Sequence, residues 1–429
     1  MVRPIEIEAL FDRLWPLNRS LTGDNNRKTL EILSEVSDLQ IIEVPSGKTV
    51  LDWTVPSEYK VSEAYIEDES GYKIIDFKDN NLHLVGYSIP VDTIISYDEL
   101  IKKLHFIKEM PDAIPYVTSY YEPDWGFCIS YNHFKRILKN QNYKVVIRSS
   151  FDAQGSMTLG QRLLKGKVKK EILISTYICH PSMANNELSG PLLSIFLQRE
   201  IEKLDDRYFT YRFVYIPETI GAISILHEYG EHLKNHLVGG LVATCVGDSG
   251  YPTYKKSRRG DTCFDRMAIY TLSKRHKQYE VLDFFPTGSD ERQYCSPGFN
   301  LPVGSLMRTM YTKYKEYHTS LDDKSIMDFD KMVDLIKTYF DIIVAFRLVK
   351  TYKFLDGKGE PFLKGRSLVQ GKGAQKKVPQ LVNHILWCLS LADGENDTLD
   401  IAVKTGLELQ DVYETCVLLE KNNLLEEIR

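Results

Sequence analysis

The sequence lacks paired cysteines, long apolar runs and any excess of positive charge. Its seven cysteines, spread over 429 residues, never form a Cys-x-x-Cys pair, so neither a disulfide framework nor a zinc site built on thiolates is predicted. No segment approaches the roughly 20 apolar residues of a membrane span, and the first residues lack the apolar core of a signal peptide. The formal net charge of −5 gives no electrostatic reason to expect nucleic acid or a membrane as partner. We therefore expect a cytoplasmic protein whose only metal ligands would be histidines and carboxylates.

The first 142 residues show two kinds of pattern. A helical hairpin is predicted over residues 5–36, where apolar residues recur at helical spacing on both sides of a break. Residues 41–142 then hold short alternating segments separated by prolines, which is typical of a small β-rich domain. Its aromatic residues could line a groove or could form the core of that small domain; they are Trp53, Tyr116, Tyr120, Tyr121 and Trp125.

From residue 143 onward, buried strands alternate with helices. Strands are predicted at 145–147, 172–178, 212–216 and 238–244, with helices at 191–203, 220–236 and 331–350. Strands separated by helices indicate βαβ units and a largely parallel sheet, with ligands at the carboxyl ends of its strands. The predicted fold class is α/β, a mixed and largely parallel sheet flanked by helices.

The last third of the chain ends in a different unit. Residues 353–377 are rich in glycine and lysine and predict a linker or surface arm. Three short helical patterns follow and suit a winged helix. The second and third are acidic, which disfavours DNA and favours an interaction or packing role. The predicted domains are a catalytic domain (1–40 and 143–355), an inserted β domain (41–142), a linker (356–378) and a winged-helix-like domain (379–429).

Four candidate functional residues fall where strands should end. They are His180, Glu218, Asp248 and His318. Each alone is an ordinary cap or turn residue, but together they supply the nitrogen and oxygen ligands that zinc accepts without thiolates. Such a set permits metal-assisted hydrolysis, in which a carboxylate moves the proton of an activated water. Glu218 suits that role of general base because Pro217 and Gly221 define a turn between strand and helix.

These residues belong to a series of motifs. In chain order it comprises His180, Ala184-Asn-Asn-Glu-Leu-Ser-Gly190, Glu218-Thr-Ile-Gly221, Gly247-Asp248, Gly288-Ser-Asp290 and Tyr317-His318-Thr319. The series resembles that of the co-catalytic zinc aminopeptidases. It is still more similar to their aminopeptidase-like relatives of unknown function, which occur beside polysaccharide biosynthesis genes and carry an inserted β domain and a C-terminal winged helix. Leu17-Asn-Arg-Ser-Leu-Thr-Gly23 extends the match toward the start of the chain.

The resemblance implies a ligand set with two departures. His180 and Asp248 would hold one ion, His318 would hold a second, and Glu218 would be the general base. The bridging aspartate falls on Asn186, and the glutamate ligand after the base falls on Thr219. Neutral side chains do not balance two dications, so one zinc ion is expected rather than two.

Glu187 completes the single-ion hypothesis. It would take the role that Asn186 leaves open, alongside His180, Asp248 and His318. Its alternative role is the negative charge at the start of the next helix.

Around this set we expect substrate contacts from Asp290, Arg308, Tyr317 and Asn186. Asp290 would hold an ammonium group or form an ordinary surface ion pair, and Arg308 would meet a carboxylate or an oxyanion. Asp322 would orient His318 or cap a helix before Ser325.

Two functional hypotheses follow. The first is a zinc-dependent amide hydrolase of aminopeptidase type that acts on a small peptide or on an aminoacyl or acylamino group. The second is a catalytically weak binding or scaffold protein on the same fold. A homo-oligomer stays open under both.

Overall fold

The computed structural model describes residues 2–368 and 379–428. The chain divides into two compact units, Met1–Phe340 and Asp341–Arg429, which we describe separately. In the described residues no helix is long and apolar enough to cross a membrane.

The helices and strands have the following bounds. The helices are α1 Pro4–Leu14, α2 Asp24–Ser34, α3 Tyr97–Leu100, α4 Tyr131–Phe134, α5 Ser189–Glu202, α6 Ile220–His236, α7 Cys263–Arg275, α8 Glu291–Tyr294, α9 Phe329–Ala345, α10 Gln380–Leu391, α11 Thr398–Thr405 and α12 Leu409–Lys421. The strands are β1 Gln40–Pro45, β2 Thr49–Val50, β3 Trp53–Thr54, β4 Glu58–Glu67, β5 Lys73–Asp76, β6 Val91–Ser96, β7 Leu104–His105, β8 Phe127–Cys128, β9 Asn142–Asp152, β10 Ser156–Leu164, β11 Glu171–Tyr177, β12 Thr210–Ile216, β13 Leu237–Val242, β14 Thr253–Lys255, β15 Glu280–Leu282, β16 Val303–Met307, β17 Thr351–Phe354, β18 Asp393–Asp397 and β19 Leu425–Glu427.

An eight-stranded mixed sheet organises the first unit, in the order β1-β10-β12-β11-β13-β16-β14-β15. Its centre, from β12 through β11 and β13 to β16, is parallel, which confirms the predicted α/β class. Every residue of β11 is buried, as expected for a strand covered on both faces. Because β12 and β13 flank β11 on opposite sides, its carboxyl end opens into the kind of crevice where α/β sheets bind ligands.

A small β domain is inserted between two neighbouring strands of this sheet. Strands β1 and β10 pair antiparallel, with Pro45 opposite Ser156, and the chain between them forms a four-stranded sheet, β5-β4-β9-β6. This sheet has its own apolar core around Ile66, Phe127 and Val145.

The insertion is displaced from the predicted range 41–142. Gln40–Pro45 belongs to the main sheet, whereas Asn142–Asp152, which includes the strand predicted at 145–147, belongs to the small one. Strand periodicity gives residue spacing but no pairing partner, so it could not make this assignment.

A bidentate ion pair fastens the insertion to α2. Arg27 donates from Nη1 and Nη2 to the two carboxylate oxygens of Glu58, each at 2.8 Å. Glu58, on β4, also accepts from the backbone N–H of Ser156 at 3.0 Å. This Arg27–Glu58 clamp therefore joins one helix, one strand of the small sheet and one strand of the main sheet.

The second unit contains a three-stranded sheet and three helices. Strand β17 pairs with both β18 and β19, and α10, α11 and α12 pack beside them. Thr351–Phe354, which the sequence prediction assigned to the end of the catalytic domain, therefore pairs within this unit. The predicted linker lies partly outside the described residues, which omit 369–378.

Candidate functional site

A cleft of about 870 Å³ lies at the carboxyl ends of β11 and β12. One wall is aromatic and comes from the insertion: Trp53, Tyr116, Tyr120 and Tyr121. The polar part of the lining, here called the floor, is formed by His180, Glu218, Thr219, Arg258, Arg292, Gln293 and His318, and apolar side chains including Ile220, Phe284 and Pro286 also line the cleft. The insertion and the main domain thus build one concave site that is lined by aromatic and by charged side chains.

His180 is fixed by a buried chain of charged groups. Its Nδ1 donates to Glu187 Oε2 at 2.8 Å, and its backbone N–H donates to the same oxygen. Glu187 Oε1 in turn accepts from Nε of Arg19 at 2.8 Å, and the side chains of that ion pair are fully buried. Burial lowers the pKa of His180, but the hydrogen bond and charge of Glu187 outweigh it and raise that pKa. Only Nε2 is left to face the cleft.

Glu187 therefore turns inward, but as the partner of His180 and not as a free ligand. It lies in a single π-helical turn, Ala184–Leu188, that starts where the loop after His180 ends. Asp322 holds this turn by accepting from the backbone N–H groups of Asn185 and Asn186, at 2.6 and 3.0 Å. The cap before Ser325 that was predicted for Asp322 is supplied by Asp323, which accepts from the Ser325 N–H at 2.7 Å, so Asp322 caps a different turn from the one expected.

Asn186 and Asp248 lie near this turn with other partners. Asn186 donates to the hydroxyl of Tyr177 at 3.1 Å, and its Oδ1 accepts from no group in the described residues. Asp248 accepts from Asn185 Nδ2 at 2.8 Å, from the backbone N–H of Gly250 at 2.6 Å and from the Thr309 hydroxyl at 3.0 Å. Both oxygens of Asp248 thus accept hydrogen bonds from groups of the surrounding loops.

Glu218 follows the carboxyl end of β12, and its Oε2 lies 3.7 Å from Nε2 of His180. Burial raises its pKa, although the charges of His180 and Arg292 oppose the rise. The next residue, Thr219, has φ 64° and ψ −73°, and the Ile220 N–H donates to the Glu218 carbonyl at 2.8 Å. This is a γ-turn with positive φ, a strained conformation that costs a β-branched residue of the order of 1–3 kcal/mol. Its backbone N–H donates to Asp290 at 2.7 Å, and its hydroxyl accepts from Arg292 at 3.0 Å. These contacts hold the strained turn that presents Glu218.

Asp290 is buried behind this turn. Burial and the charge of Glu218 raise its pKa well above the ordinary value, and its Oδ2 has no partner among the described residues. It is therefore not the surface ion pair that was one of its two predicted roles.

His318 forms the far edge of the polar floor. Its ring stacks on Tyr317 with centroids 3.9 Å apart and lies 5.6 Å from the ring of His180. Burial and the neighbouring His180 lower its pKa to about 3, so its imidazole is neutral. The His318 carbonyl accepts from the backbone N–H of Tyr116 at 2.9 Å, which ties the aromatic wall to the floor.

Arg308 lies apart from the cleft lining. It donates to the carbonyls of Gly250 and Lys331, at 2.6 and 2.5 Å. These bonds brace the loop that carries Asp248, so the structure gives Arg308 a scaffolding position.

The donor set does not fit two metal ions. The group of three possible ligands whose atoms lie within 4.8 Å of one another, in the part of the chain described, is Cys179, His180 and Glu187. Both Glu187 oxygens are already bonded within the protein, and burial raises the pKa of the Cys179 thiol well above its ordinary value. His180, Asp248 and His318 do not form such a group. Because Asn186 and Thr219 are uncharged, the site also lacks the negative charge that two dications need.

The sequence did not point to Arg19, and it did not decide whether the aromatic residues of the insertion line a groove or form a core. Arg19 sits in the motif Leu17–Gly23, and the one charged residue in a motif that belongs to the family resemblance was the available signal. Trp53, Tyr116, Tyr120 and Tyr121 line the cleft, whereas Trp125 packs on the core of the small domain.

Comparison with known proteins shows the family to which the chain belongs. Residues 8–347 match the model described as "Domain of unknown function (DUF4910)". The chain belongs to this DUF4910 family. Residues 350–427 match a winged helix-turn-helix model, which confirms the predicted C-terminal fold.

A relative and two solved structures agree with the assignment. A Clostridium acetobutylicum protein is 43% identical over 421 residues, which cover 98% of this chain and 96% of the relative; its name assigns it provisionally to polysaccharide biosynthesis, with an aminopeptidase-like domain. A C. acetobutylicum crystal structure provisionally named a peptidase has a TM-score of 0.88 at 42% identity and covers 99% of this chain and 96% of its own. The zinc aminopeptidase BSAP of Bacillus subtilis matches with a TM-score of 0.56 at 10% identity, covering 79% of this chain and 94% of its own. The last likeness shows a shared fold, and the resemblance inferred from the motifs is confirmed.

Proposed function

We propose that this DUF4910 protein binds a small ligand that carries an amino or acylamino group, and that recognition is its principal function. The observation that carries the proposal is the composition of the cleft. Its aromatic wall suits a flat apolar face or an acyl group, while Glu218 suits an ammonium group and Arg258 and Arg292 suit a carboxylate or phosphate. A small peptide and an acylamino sugar both present this combination.

Trp53 provides a direct test. It lines the cleft, whereas Trp125 packs on the core of the small domain. We expect a dipeptide such as Leu-Gly or the sugar N-acetylglucosamine to change tryptophan fluorescence in a saturable way. Trp53→Phe should remove the signal, Glu218→Gln should weaken binding of the dipeptide, and the matched control Trp125→Phe should leave both intact. Saturable binding that is unchanged in Glu218→Gln and in Tyr120→Ala would place the ligand elsewhere and refute the proposal.

A second candidate function is amide hydrolysis of aminopeptidase type with one zinc ion and Glu218 as general base. One observation favours it, because Glu218, His318 and Nε2 of His180 face the same cleft. Release of amine from amino-acid arylamides and from N-acyl sugars, with and without added zinc, tests this candidate. Equal rates for wild type and Glu218→Gln would remove Glu218 from any mechanism.

We place the protein in the cytoplasm, where its seven free thiols accord with a reducing compartment. The winged helix is proposed as a contact surface for protein, since residues 379–428 carry ten acidic side chains against two lysines. A homo-oligomer is compatible with that role.

A further inference from the structure

Arg19 brings a permanent positive charge into the core of the site. The residue is 1% exposed, its Nε donates to Glu187, and its Nη1 donates to the carbonyl of Leu14 at 2.8 Å. Its Nη2 has no hydrogen-bond partner in the described residues. A guanidinium group stays charged in proteins and suits buried ion pairs. The site therefore contains a cation supplied by the chain itself.

This cation uses the negative charge that a metal ion would need. Glu187 is the one carboxylate in the group of possible ligands around His180, and Arg19 neutralises it. Its second oxygen is bonded to the backbone and ring nitrogens of His180. A divalent ion at Glu187 would have to break a buried ion pair and would then lie beside a guanidinium group without a counter-charge.

The two carboxylate positions expected from the motif series offer no replacement for that charge, and Glu218, with Oε2 3.7 Å from Nε2 of His180, lies on the cleft side of the imidazole ring. Asn186 and Thr219 are neutral, and both oxygens of Asp248 are bonded to Asn185, Gly250 and Thr309. The neutral side chains at two expected ligand positions and the positive charge of Arg19 thus both reduce the negative charge available to a metal ion.

We propose that Arg19 is a built-in cation that takes the electrostatic place of a metal ion beside Glu187 and His180 and keeps divalent metal out of the site. The role does not depend on which ligand the cleft binds, and it is incompatible with the zinc-dependent hydrolysis given above as the second candidate function. It accounts for an aminopeptidase fold in which His180 is held by a carboxylate while two expected carboxylate positions are Asn186 and Thr219.

The test is zinc binding by the full-length chain, measured by isothermal titration calorimetry and by the melting temperature with and without zinc. Wild type should bind zinc weakly. Arg19→Met should bind at least tenfold more tightly and should be stabilised by zinc, because Glu187 is released. Arg19→Lys keeps the charge and should behave as wild type, whereas the double variant Arg19→Met with Glu187→Gln should lose the gain.

A matched control and a folding check complete the design. Arg13→Met removes an arginine that pairs with Glu35 at the surface, so its zinc affinity should equal that of wild type. If Arg19→Met is unfolded without metal, recovery of its near-ultraviolet circular dichroism on adding zinc supports the proposal, and no recovery overturns it. A wild-type protein that holds stoichiometric zinc through Glu187, or an Arg19→Met variant with unchanged affinity, also overturns it.

Discussion

The Arg27–Glu58 clamp makes stability depend on pH in a defined way. Ion pairing with Arg27, partly opposed by burial, lowers the pKa of Glu58 from 4.5 to about 2. A carboxyl group with a depressed folded-state pKa stabilises the fold above its unfolded pKa, and this contribution is lost as pH falls through the folded pKa. The clamp should therefore act fully above pH 4.5 and fade between pH 4.5 and 2.

The difference between the two pKa values sets the magnitude. Taken in full it corresponds to about 3 kcal/mol at neutral pH. Arg27 is 28% exposed, so solvent screening reduces the expected cost of Glu58→Gln to about 2 kcal/mol. The loss should be constant from pH 7 to pH 5 and should shrink below pH 4.5, because wild type then loses the same contribution.

Urea denaturation followed by tryptophan fluorescence measures this effect. A Trp387→Phe background confines the signal to Trp15, Trp53 and Trp125, all in the first unit. Glu35→Gln, which removes an exposed partner of Arg13, is the matched control and should shift the midpoint little. The reasoning is refuted if Glu58→Gln costs nothing at pH 7, or if its cost stays unchanged at pH 3.

Three other predictions follow from packing and charge. Asp322→Ala leaves the buried N–H groups of Asn185 and Asn186 without an acceptor. We expect it to lower the free energy of unfolding by about 3 kcal/mol, measured by chemical denaturation, and to weaken ligand binding, measured by fluorescence titration. In Gly190→Ala the new methyl group would overlap the Ala243 carbonyl. We expect a lower melting temperature and a free energy of unfolding reduced by about 1–3 kcal/mol. Gly298→Ala, whose methyl group meets open space, is the control and should have little effect on either. Because the winged helix is acidic, we expect the full chain not to bind a 30-base-pair DNA duplex (~100 Å) at 150 mM salt. Fluorescence anisotropy measures this, and tight, salt-dependent binding would contradict the protein-contact role.

The parts of the site that follow one strand were predictable from the sequence. The apolar run before His180 predicts β11, and the residues after the next strand place Glu218 at the same edge of the sheet, because parallel strands align their carboxyl ends. Helix α6 has the predicted bounds. Local pattern was sufficient for these features.

The parts that depend on distant pairing were not predictable. Arg19 and Glu187 are separated by 168 positions, and no local spacing relates them. Asp248 has the residue type of a metal ligand, but only the fold shows that Asn185, Gly250 and Thr309 occupy its oxygens. The local pattern of residues 97–107 predicts one short helix, but α3 ends at Leu100 and β7 starts at Leu104. Pairing of Leu104 with Phe127 outweighs helical propensity there.

The position of the inserted domain determines how it can be replaced by protein engineering. The insertion leaves the main sheet after Pro45 and returns at Ser156, two residues that face each other in one antiparallel pair, and the N–H of Ser46 donates to the carbonyl of Gly155 at 3.0 Å. Geometrically, the whole small domain is an enlarged hairpin loop between two paired strands, the kind of connection that a tight turn makes in other hairpins. Replacing residues 46–155 by such a turn would leave the order of the large sheet intact while removing the aromatic wall. The same junction would accept a different insertion, which would give the sheet a new wall and a new ligand preference without any change to its strands.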